Sequence, residues 1–325
     1  MLKSKVISAL VLVLMFAVYI CGWWVSREPD LLVSEITQSQ QQQGERATIG
    51  YSTTTALIRV GETLLDKKGG YLANDIMPPF SLLDNMPAWE LGVLEMSRDL
   101  ALALRKDLSR SQSQSTENPY LKIAQPKFNI DHRSWAIPSA ETEYRQAIEQ
   151  LYLYRAELVD PARPDSQFYA RADNLRDWLK AVEKRLGSYS QRLSASVGQE
   201  RLNTDLAGDA TARQSTGAPQ QRQIKTSWWK LDDEFYEARG ACWALLHFLN
   251  AVETDFADVL QRKNAMVSLQ QIIRELEATQ QGVWSPMILN GSGFGLMANH
   301  SLVMANYISR ANAALIDLSE LLTQG

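Results

Sequence analysis

The chain has 325 residues, 45% of them hydrophobic and 22% charged, which suffices for a sizeable core and matches an ordinary folded protein. Its net charge of −4 excludes the basic footprint of a nucleic-acid binder or of a protein held by charge to anionic lipid. Of its two cysteines, Cys21 lies in an apolar amino-terminal run and Cys242 in ACWALLHFL, so no intrachain disulfide is expected and each reads as a small buried hydrophobe.

The first element in chain order is Val6 to Val25, VISALVLVLMFAVYICGWWV, an uncharged run of the ~20 residues that cross a hydrocarbon core as a helix. Lys3 and Lys5 precede it, and Trp23 and Trp24 stand at its far end, where indole rings suit the interface. Its length and the bulky residues near its end argue against a cleaved signal peptide, and Ile20 before Cys21 argues against a lipoprotein signal. Two lysines before the run against Arg27 after it put the amino terminus in the cytoplasm. The expected partner is the lipid bilayer through residues 6–25. The expected location is the inner membrane, crossed once, with the bulk of the chain in the periplasm.

Residues 1–26 therefore read as cytoplasmic tip and transmembrane anchor, and 27–49, with TQSQQQQGE, as a tether. Residues 50–197 read as the first part of a helical domain. A helix starts near Tyr51, carries Leu57, Ile58, Leu64 and Leu65, and stops at KKGG. After Pro78 and Pro79 a second starts near Pro87, with Leu91, Leu94, Leu100, Leu104 and Leu108 on its buried stripe. It runs into RSQSQSTENP, where Pro119 breaks the pattern, and Tyr120 to Pro138 reads as irregular. Ser139 caps a third helix through Leu158. Asp165 or Ser166 opens a fourth, with Leu175, Trp178, Leu179, Val182 and Leu186. Residues 198–225, poor in large apolar side chains, read as a mobile connector. Residues 226–325 hold the second part, with helices over about Ser227–Arg262, Asn264–Gln281 and Gly295–Leu322. No stretch alternates as a strand would. The fold class is all-α: a single amino-terminal transmembrane helix followed by a multi-helix bundle of about seven or eight helices.

Three blocks carry a resemblance: GGYLANDIMPP (Gly69 to Pro79), SRSQSQSTENP (Ser109 to Pro119) and ARADNLRDWLKAVEKRLGSYSQRLSASVG (Ala170 to Gly198). With the amino-terminal run, they resemble an uncharacterised family of Gram-negative bacterial membrane-anchored proteins known only as a domain of unknown function. The resemblance spans nearly the whole chain and implies an envelope protein, with no substrate, cofactor or catalytic residue attached.

Candidate chemistry is sparse. His132, His247 and His300 have Asn129, Ala244 and Met297 three positions before them, so the Glu-x-x-His pairs of a helical di-iron site are missing, and no metal or cofactor is expected. Cys242 and His247 are five apart on one expected helix, roughly 140° around it, and point to different faces. The glycines of NGSGFGLMANHS, Gly291, Gly293 and Gly295, lack the lysine of a phosphate loop and read as a turn into the last helix. SWWKLDDEFYE offers Trp228, Trp229 and Tyr236 beside the i, i+4 carboxylates Asp233 and Glu237, a set able to line a glycan or lipid groove. QFYARADNLRDW offers Arg171 and Arg176 among aromatics as a partner surface. Core packing and solvated helix faces explain the same residues. The expected function is a non-enzymatic envelope scaffold with a protein partner. The alternative is a binding module or hydrolase acting on cell-wall glycan or lipid.

Overall fold

A computed structural model of the chain describes residues 2–32, 48–78, 80–111, 116–160, 162, 166–202, 221–285 and 287–323. Among these the chain forms ten α-helices: α1 Leu2–Val25, α2 Tyr51–Asp66, α3 Asn85–Ala103, α4 Pro119–Phe128, α5 Ala140–Val159, α6 Ala172–Ser194, α7 Leu231–Asp255, α8 Ala257–Arg262, α9 Met266–Thr279 and α10 His300–Thr323. Among the described residues the regular structure is helical apart from one short ribbon, β1 Gln199–Leu202 paired antiparallel with β2 Gln221–Ile224, and a single bridge between Asn290 and Asn299.

The long helices alternate in direction. Asp66 of α2 meets Arg145 of α5 while Thr55 meets Arg155. Glu95 of α3 meets Tyr189 of α6 while the Asp107 carbonyl, just beyond α3, meets Asn174. The chain thus runs up in α3, α5, α7 and α10 and down in α2, α4, α6 and α9. Every second connection falls at one end of the bundle, and these are the segments 67–84, 129–139, 195–230 and 280–299.

The centre of the core is the crossing of α3 and α7. A Cβ on Gly92 would lie 2.0 Å from the Glu237 carbonyl oxygen, and one on Gly240 would lie 2.1 Å from that of Trp89. The backbones touch because both contact points lack side chains, and Trp89 and Trp243 fill the space beside them with ring centroids 5.1 Å apart.

Several expectations need correction. The bundle has nine α-helices beyond α1 among the described residues, not seven or eight. Part of the stretch expected to be irregular is helix α4: Asn118 accepts from the Tyr120 and Leu121 amides, and Pro119 occupies the first helical position, where no amide is needed. The helix expected to open at Asp165 or Ser166 is α6, which opens at Ala172, because Ser166 is buried and bonded to Asn118 and Glu157 instead of capping. The helix expected over Ser227–Arg262 starts at Leu231 and breaks at Phe256. The last helix starts at His300, so Gly295 lies in the preceding loop. Strands occur at both ends of the expected connector; QERL and QRQI carry no alternation that would reveal them. Its centre, 203–220, lies outside the described residues, as does 33–47 of the expected tether.

Because the obstacle at Gly92 and Gly240 is backbone, Gly240→Ala should lower the unfolding free energy by about 1–3 kcal/mol, the usual cost of overpacking. Urea unfolding of the detergent-solubilised chain checks this; an unchanged midpoint would refute the close crossing.

Candidate functional site

The sequence points first to the amino-terminal turn of α7. Trp228 and Trp229 sit on a 3₁₀ turn just before it, edge to face with centroids 5.1 Å apart, and both are exposed. Neither fills the core. Tyr236 lies on the opposite side of α7, against the end of α1. Asp233 and Glu237 border a shared depression with Asp84 and Lys230. Arg171 and Arg176 sit near the start of α6, at the far end of the bundle, and are engaged with Asp173 and Asp177. The structure therefore brings Asp233 and Glu237 together and leaves the other predicted residues apart.

Most carboxylates of this region are already bonded, while the Asp233 Oδ1 is buried without a hydrogen-bond partner. Glu237 accepts two bonds from Arg192, at 2.9 and 2.6 Å, and Glu234 lies 2.6 Å from the same guanidinium. In the neighbouring cleft Arg185 holds Asp99 at 2.8 Å and Glu95 at 2.9 Å, and the Tyr189 hydroxyl donates to Glu95. Burial raises the Asp233 carboxyl, helped by Asp84 and Asp232. Burial also pushes the Cys242 thiol up to about 12, which leaves it an inert core group. Among the described residues no cluster of three or more His, Cys, Asp or Glu side chains could hold a metal ion.

The most highly organised polar site is elsewhere, where α1 joins the bundle. Val25 is buried against Gly69 of the KKGG turn. That glycine has φ +86°, and a Cβ there would stand 2.3 Å from Val25, so the turn needs glycine twice over. Lys67 folds inward and pairs with Glu90 in the core, and Glu90 also takes the Leu72 and Ala73 amides. Burial raises the Glu90 carboxyl against the opposing pull of Lys67.

Beyond Val25 the chain stays docked. Glu28 accepts from Arg239 Nε at 2.7 Å. The remaining Arg239 nitrogens donate to the carbonyls of Thr279 and Gln281, at 3.0 and 2.8 Å, and of Gln280, at 3.1 Å. These carbonyls end α9, so one buried guanidinium both caps a helix carboxyl end and holds the chain leaving α1. Farther along, the Leu32 amide donates to His247 Nε2 at 2.8 Å, while His247 Nδ1 bonds the Trp243 carbonyl at 2.7 Å. His247 is thus neutral with its proton on Nδ1. Residues 27–32 are part of the folded body, which corrects the start of the expected tether. Sequence reasoning placed His247 in the core but missed Leu32, and it passed over Arg239. A lone arginine in EARGACWALLHFL was the available signal.

Comparison with known proteins places the chain in a family. A family described as "Uncharacterized protein conserved in bacteria", DUF2333, matches residues 2–325. The chain belongs to this family. No curated protein and no solved structure matches it.

Burial lowers His247 from the ordinary 6.5 to about 4. The unfolded chain then takes up this proton before the folded one, so the contribution is complete above pH 6.5 and is lost as pH falls towards 4. The stability advantage of wild type over His247→Phe should shrink across that window by about 3 kcal/mol, at ~1.4 kcal/mol per pKa unit. A pH-independent difference in urea unfolding would contradict a neutral His247.

Proposed function

We propose that this chain is a single-pass inner-membrane protein whose helical domain faces the periplasm and acts as a non-enzymatic scaffold for another envelope protein. The observation that carries the reading is an apolar helix with exposed side chains around its whole circumference, fixed to a folded domain at its carboxyl end. From Leu10 to Cys21 every side chain of α1 is exposed. Leu10, Val11, Leu12 and Val13 alone span its circumference at ~100° per residue, so no single face is left for the bundle. Only Val25 is buried. Such a helix is hydrophobic all round, as a bilayer demands.

Among the described residues no helix is long and apolar enough to cross a membrane. In the sequence the uncharged run is 20 residues, Val6 to Val25. Arg27 stacks on the Trp23 ring at 4.6 Å, the kind of cationic and aromatic pairing that suits a headgroup layer.

The scaffold reading is supported by the acids. Glu95, Asp99, Glu234 and Glu237 are bound to arginines, and a hydrolase would need two carboxyl groups free to exchange protons across a substrate. Trp228 and Trp229, expected in the groove of such an enzyme, stand exposed on a 3₁₀ turn.

The test has two parts. The chain should stay in carbonate-washed membranes, and alkaline phosphatase fused after Gly325 should be active. Crosslinking in intact cells should then return a reproducible protein partner. Release of the chain by carbonate, a silent fusion, or recovery of bound glycan in place of a protein would contradict the reading.

A further inference from the structure

The exposed large apolar side chains of the bundle are concentrated at one end. The loops where α1 leaves carry Met77, Ile137, Trp229, Trp284, Phe294 and Leu296, all exposed, and Ile137, Trp284, Phe294 and Leu296 are wholly so. These residues come from four separate connections, 67–84, 129–139, 195–230 and 280–299. They share an end with the anchor. Gly22, Trp23 and Ser26 of the α1 exit border the same depression as Leu83, Val283 and Ser285, the neighbours of Trp284. Ile76 and Lys230, the neighbours of Met77 and Trp229, border the next one. Elsewhere the exposed apolar residues, among them Ile49, Val159 and Val267 at the opposite end and Ile123, Leu153 and Val303 along the helices, are scattered.

The largest of these loops is built to present its tip. Gly282 to Ser301 contains no Asp, Glu, Lys or Arg. Its base is pinned: the Gly291 amide donates to the Ala298 carbonyl at 3.0 Å and the His300 amide to that of Leu289 at 2.8 Å. The Leu289 amide donates to His300 Nδ1 at 3.0 Å, and Asn299 Nδ2 donates to the Gly291 carbonyl at 2.6 Å. A Cβ on Gly291 would lie 2.4 Å from the Met297 carbonyl oxygen, so the pinch requires glycine. Phe294 and Leu296 stand on the tip, outside the fold.

We propose that this ring of loops is a second membrane-contact surface, inserted at the headgroup and acyl boundary of the bilayer that α1 crosses. The inference rests on the reading of α1 as the anchor. An anchored domain keeps this end within reach of the lipid. Indole, Phe and Leu side chains partition into that boundary, and the 282–301 loop carries no charge to oppose it, whereas the same side chains in water would make a large unexplained apolar surface. A helix fixed by Arg239 and six side chains from four loops would together hold the domain in one orientation on the membrane.

Depth measurement separates the possibilities. The full chain with Cys21→Ala is reconstituted in phosphatidylglycerol–phosphatidylethanolamine vesicles and spin-labelled at one introduced cysteine, at 14, 294, 296 or 267; the native Cys242 is buried. Accessibility to oxygen and to a water-soluble nickel chelate gives the depth of each label. Labels replacing Leu14, Phe294 and Leu296 should favour oxygen several-fold over the label replacing Val267. If only the label at 14 lies in lipid, and those at 294 and 296 match 267, the second contact is refuted while the anchor stands. If 294 and 296 are shielded from both reagents, a protein covers the loops and the proposal fails in the same way. If 14 is also water-exposed, the anchor reading fails with it.

Discussion

One buried guanidinium holds together the end of the bundle where α1 joins it. Arg239 lies on α7, deep enough that a charge there is costly unless it is paired and hydrogen-bonded. It meets that demand with one carboxylate, Glu28, and three carbonyls at the end of α9. Gln280 answers by donating to the Arg239 carbonyl at 3.2 Å. Two segments distant in sequence are thereby bound to one side chain of a third. Loss of such a charge would strand Glu28 and the α9 carbonyls together, a disruption worth about 3–5 kcal/mol.

The junction decides how α1 relates to the bundle. Were residues after Val25 a free tether, the domain would swing, and the apolar loops around the exit would meet lipid only in passing. With Val25 on Gly69, Glu28 on Arg239 and Leu32 on His247, the helix and the domain form one body. The scaffold reading draws on this rigidity. On the proposed reading, a surface held at fixed height and orientation above a membrane suits recognition of another envelope component, and Glu234 and Glu237 near α7 are held by Arg192.

Much of the helical frame was legible in the sequence, because apolar spacing and terminal signals are local. The heptad-like leucines of α3, the Ser139 cap and the KKGG stop each act within a turn or two of themselves. Pro119 was misjudged for a local reason too: after a capping Asn118, a proline begins a helix as readily as it ends one. The site was less legible. Tryptophans are counted on to bury, yet the 3₁₀ turn before α7 leaves Trp228 and Trp229 outside. Gly69 was visible as a helix stop, but its contact with Val25 is a tertiary fact. Arg239 and His247 find their partners on chain that the sequence presents as linker.

The central claim is that α1 and the bundle move as one body through the Arg239 junction. Pulsed electron–electron distance measurement between spin labels replacing Met15 and Val267, in the full Cys21→Ala chain held in nanodiscs, tests it most directly. The account predicts one narrow distance distribution, which broadens when Arg239 is replaced by Leu. A broad distribution in the otherwise unaltered chain would contradict it.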